Sequence, residues 1–180
     1  MGHKFVGHTY GAYEVLSAFL NPYSLQSIWK ESPFLFVGWC LDLNMRKSWI
    51  EKRDCEKSFK IKTIDKKFAD IPKGSRMLIA SPPIIDEYVK SILYGESIEP
   101  VKMRDDLAKE YQADKTCPVT AGIFLRIISE ASYEEYDTGI HLDAITPFWR
   151  MVNPNSKLAE KLACGIDFIT ERQTIENIVL

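Results

Sequence analysis

The side chains best suited to chemistry in this 180-residue chain are few and far apart. Its thiols are Cys40, Cys55, Cys117 and Cys164, with no Cys-x-x-Cys pair and no Cys/His cluster at zinc spacing, so no metal site is expected. Cys117 precedes Pro118, a residue favoured at the first position of a helix. A thiol at that N-cap would meet unpaired amides and the positive end of the helix dipole, which lower a thiol pKa. Cys117 is therefore the candidate reactive thiol, and a thiol-dependent transferase is one reading of the chain. The competing reading is a small residue buried at a tight corner. His141 and Asp143 could act as an acid/base pair, but no nucleophile stands at a fixed spacing from them. His3 and His8 are too few for a metal and read as terminal surface residues. No cofactor is expected.

The stretch with the most organised character is Thr146, Pro147, Phe148, Trp149, Arg150, Met151, Val152 and Asn153, followed by the polar turn Pro154-Asn155-Ser156 and an amphipathic tail. It resembles the active-site segment of the O6-alkylguanine-DNA alkyltransferase family, in which Pro-Cys-His-Arg-Val-Val carries the methyl-accepting thiol. Pro147, Arg150, Val152 and Asn153 set the registration, Phe148 stands at the cysteine position and Trp149 at the histidine. The match is nearer to the non-catalytic alkyltransferase-like branch, where the cysteine position is commonly tryptophan, and to its bacterial relatives. Dealkylating a guanine needs a thiolate beside a base, which a benzyl ring and an indole cannot supply. The resemblance instead implies a non-catalytic protein that binds double-stranded DNA, with recognition of alkylated guanine in DNA repair as its finer form. Pro147, Phe148 and Trp149 would then line a pocket for an extruded base, with Arg150 and Asn153 shaping it. Without the resemblance, Phe148 and Trp149 read as core aromatics.

A second anchor is Ile92-Leu93-Tyr94-Gly95-Glu96, which resembles the family's Ile-Pro-x-Gly-x turn between two helices and departs from it at Leu93. Helices are expected at Pro83–Leu93, at about Val101–Tyr111, and from Pro118 with Ile123, Phe124, Ile127, Ile128 and Ala131 on its apolar face. The last two, joined by a tight polar turn, form a helix-turn-helix pattern, and in the family that unit docks on DNA. The family's tyrosine after the turn falls at Pro100 and its recognition-helix arginine at Val119, so neither of those tools is present. Lys115 or Arg126 are the nearest substitutes. Thr120 remains the polar candidate at the start of the second helix. Gly122 and Pro147 are 25 positions apart, a longer connection than the family uses. The added length, Ser129–Ile145, reads as acidic helix and then loop.

Net charge is −2, but its distribution is uneven: Lys47–Arg76 holds ten Lys and Arg against five Asp and Glu, whereas Val101–Leu180 holds nine against thirteen. A DNA-binding reading must draw its phosphate contacts from the basic segment. The acidic C-terminal half and the apolar recognition helix favour the alternative, a module binding a protein partner or small ligand.

The expected organisation is an aromatic N-terminal extension (1–46), a basic linker or arm (47–76) and an alkyltransferase-like, winged-helix-like domain (77–180). The fold class is mainly α with minor β. The extension is expected to contain short helices at Glu14–Leu20 and Ser24–Trp29, a buried strand or turn at Phe34–Leu41, and to act as a hydrophobic cap. A last helix is expected at about Ile166–Asn177, with Glu171 or Glu176 pairing with Arg150. No signal-peptide pattern or apolar run of about 20 residues is present, so a cytoplasmic protein without membrane contact is expected.

Overall fold

The computed structural model describes residues 47–178. The expected elements of 1–46, with His3, His8 and Cys40, lie outside the described residues. Ser48 opens the first element: its hydroxyl accepts from the Glu51 amide at 3.0 Å while the Glu51 carboxylate accepts from the Ser48 amide at 2.8 Å. This capping box starts α1, Trp49–Arg53. Five residues are too few for a helix to persist alone. Glu134 supplies outside support by accepting from the Trp49 and Ile50 amides at 2.8 and 3.1 Å, and Glu135 by receiving two bonds from the Arg53 guanidinium.

Strands β1 (Lys60–Thr63) and β2 (Arg76–Ile79) pair antiparallel, with Lys60 opposite Ile79 and Thr63 opposite Arg76. The loop between them closes where the Gly74 amide donates to the Ile64 carbonyl at 2.8 Å, with Gly74 at φ +85°, a conformation open to glycine. The basic segment is thus no separate linker. It contributes a helix and an edge strand to the unit formed by Lys47–Leu180. Every β1 side chain is exposed, so backbone pairing rather than burial holds it, and Lys-rich composition carries no signal for that.

β3 (Lys115–Thr116) runs parallel to β2 and completes a three-stranded sheet in the order β1-β2-β3. The crossover from β2 to β3 carries α2 (Pro82–Ser91) and α3 (Pro100–Glu110), each with proline in its first turn. Ile85 and Val89 on α2 and Met103 and Leu107 on α3 recur every four residues and are fully or almost fully buried. α4 (Pro118–Asp137) follows, packing on α1, α2, α3 and the Phe148–Arg150 turn. Its buried stripe is Ala121, Leu125 and Ile128, and the expected Ile123 instead points outward at 51% exposure. Apolar residues nearly encircle the first turns of this helix, so a 3.6-residue period fits more than one face. The acidic continuation is helical to Asp137, and a 3₁₀ turn at Leu142–Ala144 ends the loop. α5 (Gly165–Ile175) closes the chain.

The two larger apolar clusters among the described residues hold these parts. Leu78, Ile85, Val89, Met103, Leu107, Leu125, Ile128 and Met151 join the sheet to α2, α3 and α4. Ile145, Phe148, Trp149, Val152, Leu162 and Ile169 join the Phe148–Arg150 turn to α5. The result is mainly helical with a small sheet. Among the described residues no helix is long and apolar enough to cross a membrane, and no His/Cys/Asp/Glu group is placed to hold a metal ion.

Candidate functional site

The two stretches singled out in the sequence, Ile92–Glu96 and Thr146–Asn153, meet at Arg150. Its Nε and Nη2 donate to the two Glu176 carboxylate oxygens at 2.7 and 3.1 Å, and its Nη1 donates to the Ile92 carbonyl at 2.7 Å. Of the two expected partners, Glu176 is the one used, while Glu171 pairs with its neighbour Arg172 at the surface. The Glu176 carboxylate also accepts from the Trp149 indole at 2.7 Å and from the Gly95 amide at 3.3 Å. Burial pushes this carboxyl upward, but the bonds from Arg150, Trp149 and Gly95 together outweigh it and leave the group below its ordinary value of 4.5. Gly95 sits at φ +80°, and a Cβ there would lie 3.2 Å from the Glu176 carbonyl, so the turn needs glycine on both counts.

The rest of the motif is fixed from both ends. Thr146 donates to the buried Asp86 at 2.7 Å, and Gln173 donates to the Trp149 and Val152 carbonyls at 2.7 and 3.0 Å. Gln173 and Glu176 lie three apart at the end of α5, where adjacent side chains reach the same stretch. Asn153 turns back on its own loop, its side-chain oxygen accepting from the Asn155 amide at 2.8 Å.

The expectation that Phe148 lines a pocket is corrected by its position. Phe148 is 0% exposed, stacked on Phe168 at 6.1 Å and edge-on to Trp149 at 5.6 Å. An all-apolar ring with no hydrogen-bonding tip is drawn into the core between the turn and α5. Trp149 is 4% exposed, with its N–H engaged by Glu176; only its margin and Pro147 reach a cavity.

Open space lies on both sides of Arg150. One cleft, of about 400 Å³, is bounded by Tyr94, Leu142–Ile145, Pro147, Trp149 and Ile175, with Lys90 and Arg172 among its charged residues. The other, of about 440 Å³, is bounded by Ser97–Val101 and Arg150–Asn153, with Gln173 at its edge. It contains Pro100, which opens α3, so an apolar ring forms part of the wall.

A third, more open cleft of about 540 Å³ holds Lys62, Lys66, Lys67, Phe68 and Cys117. Cys117 is the N-cap of α4 and packs with Ile64, Ile71 and Met77 at 5% exposure, the buried-corner arrangement rather than that of an open nucleophile. Thr120 is half-buried, donates to the Cys117 carbonyl at 3.4 Å and lines none of these clefts. Val119 projects at 52% exposure. Lys115 is engaged by Asp105, and Arg126 by Glu130 and the Lys161 carbonyl. Burial pushes the Cys164 thiol up to about 11, which keeps it protonated at neutral pH. His141 and Asp143 do meet, at 3.1 Å, but with both side chains largely in solvent.

Lys90, Tyr94 and Arg172 were not among the sequence candidates. Each lies outside the Thr146–Asn153 stretch, Tyr94 within the glycine turn, and only the fold brings it to that stretch's edge. The chain matches no protein-family model, no curated protein and no solved structure.

Proposed function

We propose that this chain is a non-catalytic DNA-binding protein of the alkyltransferase-like kind, built on a winged-helix-like domain, that holds duplex DNA through its paired helices α3 and α4. The observation that carries the reading is what lies at the amino ends of those helices. Pro100 and Val101, at the start of α3, line the cleft beside Arg150, while Cys117, capping α4, lines the cleft bearing Lys62, Lys66 and Lys67. An apolar cleft with a few polar groups suits a nucleobase out of its stack, and a lysine-lined one suits the phosphate chain. Those lysines form no ion pair among the described residues, so their charge is available to a polyanion.

In this reading the base-accepting cleft is formed by Ile98, Pro100, Val101, Met151 and Val152, with Asn153 and Gln173 as polar groups, and Arg150 holds the walls together. Alkylated guanine is the finer proposal. The test is a fluorescence-anisotropy titration at about 50 mM salt with duplexes differing by one O6-methylguanine, alongside Val101→Trp, which fills the cleft from an exposed position. Preference for the modified duplex, lost in the variant with general affinity intact, supports the reading. Absence of binding to either duplex sinks it.

A second reading rests on Val119 and Ile123, four apart on α4 and both about half exposed. An apolar stripe at the start of the second helix suits a protein partner better than phosphates. Val119→Lys separates the two readings: it strengthens duplex binding if this face meets DNA and abolishes partner capture if it meets protein.

A further inference from the structure

The cleft of about 400 Å³ between the Leu142–Ile145 loop and the end of α5 belongs to neither reading above. Its walls are apolar and aromatic on several sides: Leu142 and Ile145 from the long connection, Pro147 and Trp149 from the motif, Tyr94 from the turn and Ile175 from α5. Lys90, Arg150 and Arg172 bring positive charge to it, against Asp143 and Glu176. Glu176 adds little charge of its own there, because its oxygens are committed to Arg150, Trp149 and Gly95. Asp143 stands at the rim, in solvent with His141. Arg172 is the least satisfied cation. One terminal nitrogen meets Glu171 at 2.7 Å, while the other makes no hydrogen bond among the described residues. Lys90 meets only Asp86 and keeps an exposed amino group with donors to offer.

We propose that this cleft is a small-molecule site for an oxyanion carried on a planar ring. The ring lies between Tyr94, Leu142 and Ile175, over the margins of Pro147 and Trp149, and the carboxylate or phosphate reaches Arg172 and Lys90. A cavity that combines apolar walls with convergent polar groups is the usual form of such sites, and a guanidinium with a terminal nitrogen unengaged among the described residues favours a planar, multi-oxygen anion. The connection that distinguishes this chain from the alkyltransferase pattern supplies one wall, so the site is a property of this chain and does not depend on DNA binding.

The experiment is isothermal titration calorimetry on the full chain, without DNA, with indole-3-carboxylate and guanosine 5′-monophosphate as ring-bearing anions, guanosine as the uncharged ring and inorganic phosphate as the bare anion. At least one ring-bearing anion is expected to saturate at about millimolar or tighter, more tightly than either guanosine or phosphate. Which one does so distinguishes a carboxylate ligand from a phosphate ligand. Arg172→Leu is expected to weaken it about tenfold, the usual scale for one charge-assisted hydrogen bond. Because Arg172 packs beside Phe168, Ala144→Glu serves as a second variant: Ala144 is exposed on the loop wall, and a carboxylate there repels the anion without touching the core. Saturation by neither ring-bearing anion overturns the proposal, as does binding that is unchanged in Ala144→Glu or equally tight for phosphate alone.

Discussion

Arg150 and Glu176 lie 26 positions apart in sequence and face one another through two hydrogen bonds of 2.7 and 3.1 Å, both side chains mostly withdrawn from solvent. The pair ties the Phe148–Arg150 turn to the end of α5, and the Arg150 bond to the Ile92 carbonyl adds the glycine turn. The carboxylate binds the Trp149 indole as well, so that side chain is held as a structural donor. An indole N–H cannot take up a proton and hand it on, so this arrangement fixes shape rather than driving transfer.

Glu176→Ala removes one half of that pair and leaves the guanidinium and the indole N–H without their acceptor. Breaking a buried pair from one side costs about 3–5 kcal/mol. The lower end is expected here, because Arg150 keeps the Ile92 carbonyl and has some access to water. Urea denaturation reads this as a lowered midpoint at unchanged slope. A loss of only a few tenths of a kcal/mol would mark the pair as a surface contact.

The same carboxyl sets a pH dependence. Its folded pKa lies below the ordinary 4.5, so the stabilisation it provides is complete above that value and is lost as pH falls through the folded value. Acidification below about 4.5 is therefore expected to lower the urea midpoint. Glu176→Gln should start from lower stability and flatten that acid limb. It will not abolish it, since Asp70 beside Arg104 and Asp106 beside Lys102 are also held low. An acid limb as steep in the variant as in the parent would assign the dependence to other groups.

Phe148→Ala distinguishes a core aromatic from a ligand wall. With the ring fully buried among Trp149, Phe168 and Ile169, truncation is expected to cost about 3–5 kcal/mol through lost burial and a residual cavity. Thermal unfolding should report a drop of many degrees before any ligand is added. A variant as stable as the parent would return Phe148 to the list of accessible site residues.

Local patterns were legible where one residue type decides the geometry. Gly95 marks a turn, and four-residue apolar recurrence gives α2 and α3 almost to their ends. The Arg150–Glu176 link was legible as a choice between two glutamates, because the resemblance implied a last helix packed behind the motif. Strand β1 was not, since an exposed Lys-Ile-Lys-Thr held by backbone pairing resembles a linker in composition. The burial of Phe148 was not either. A Phe-Trp pair reads equally as pocket wall or core, and the stacking of Phe168 across the turn, which decides between them, depends on α5 folding back 20 positions later. The clefts were illegible for the same reason: Lys90, Arg150 and Arg172 become neighbours only through three separate elements.

Lys62, Lys66 and Lys67 offer a test that separates electrostatic docking from any base-specific contact. If these side chains meet phosphates, replacing all three with Gln should weaken binding to modified and unmodified duplex alike, because phosphate contacts carry no sequence information. Each contact removed should reduce the slope of log affinity against log salt by about 0.9. The substitutions fall on exposed positions of β1 and the following loop, so folding is expected to be unaffected. A triple variant with unchanged affinity and unchanged salt slope would move the phosphate path away from this cleft. A variant that loses only the preference for O6-methylguanine would mean that the lysines act near the base, contrary to their separation here into a cleft that shares no residue with the one beside Arg150.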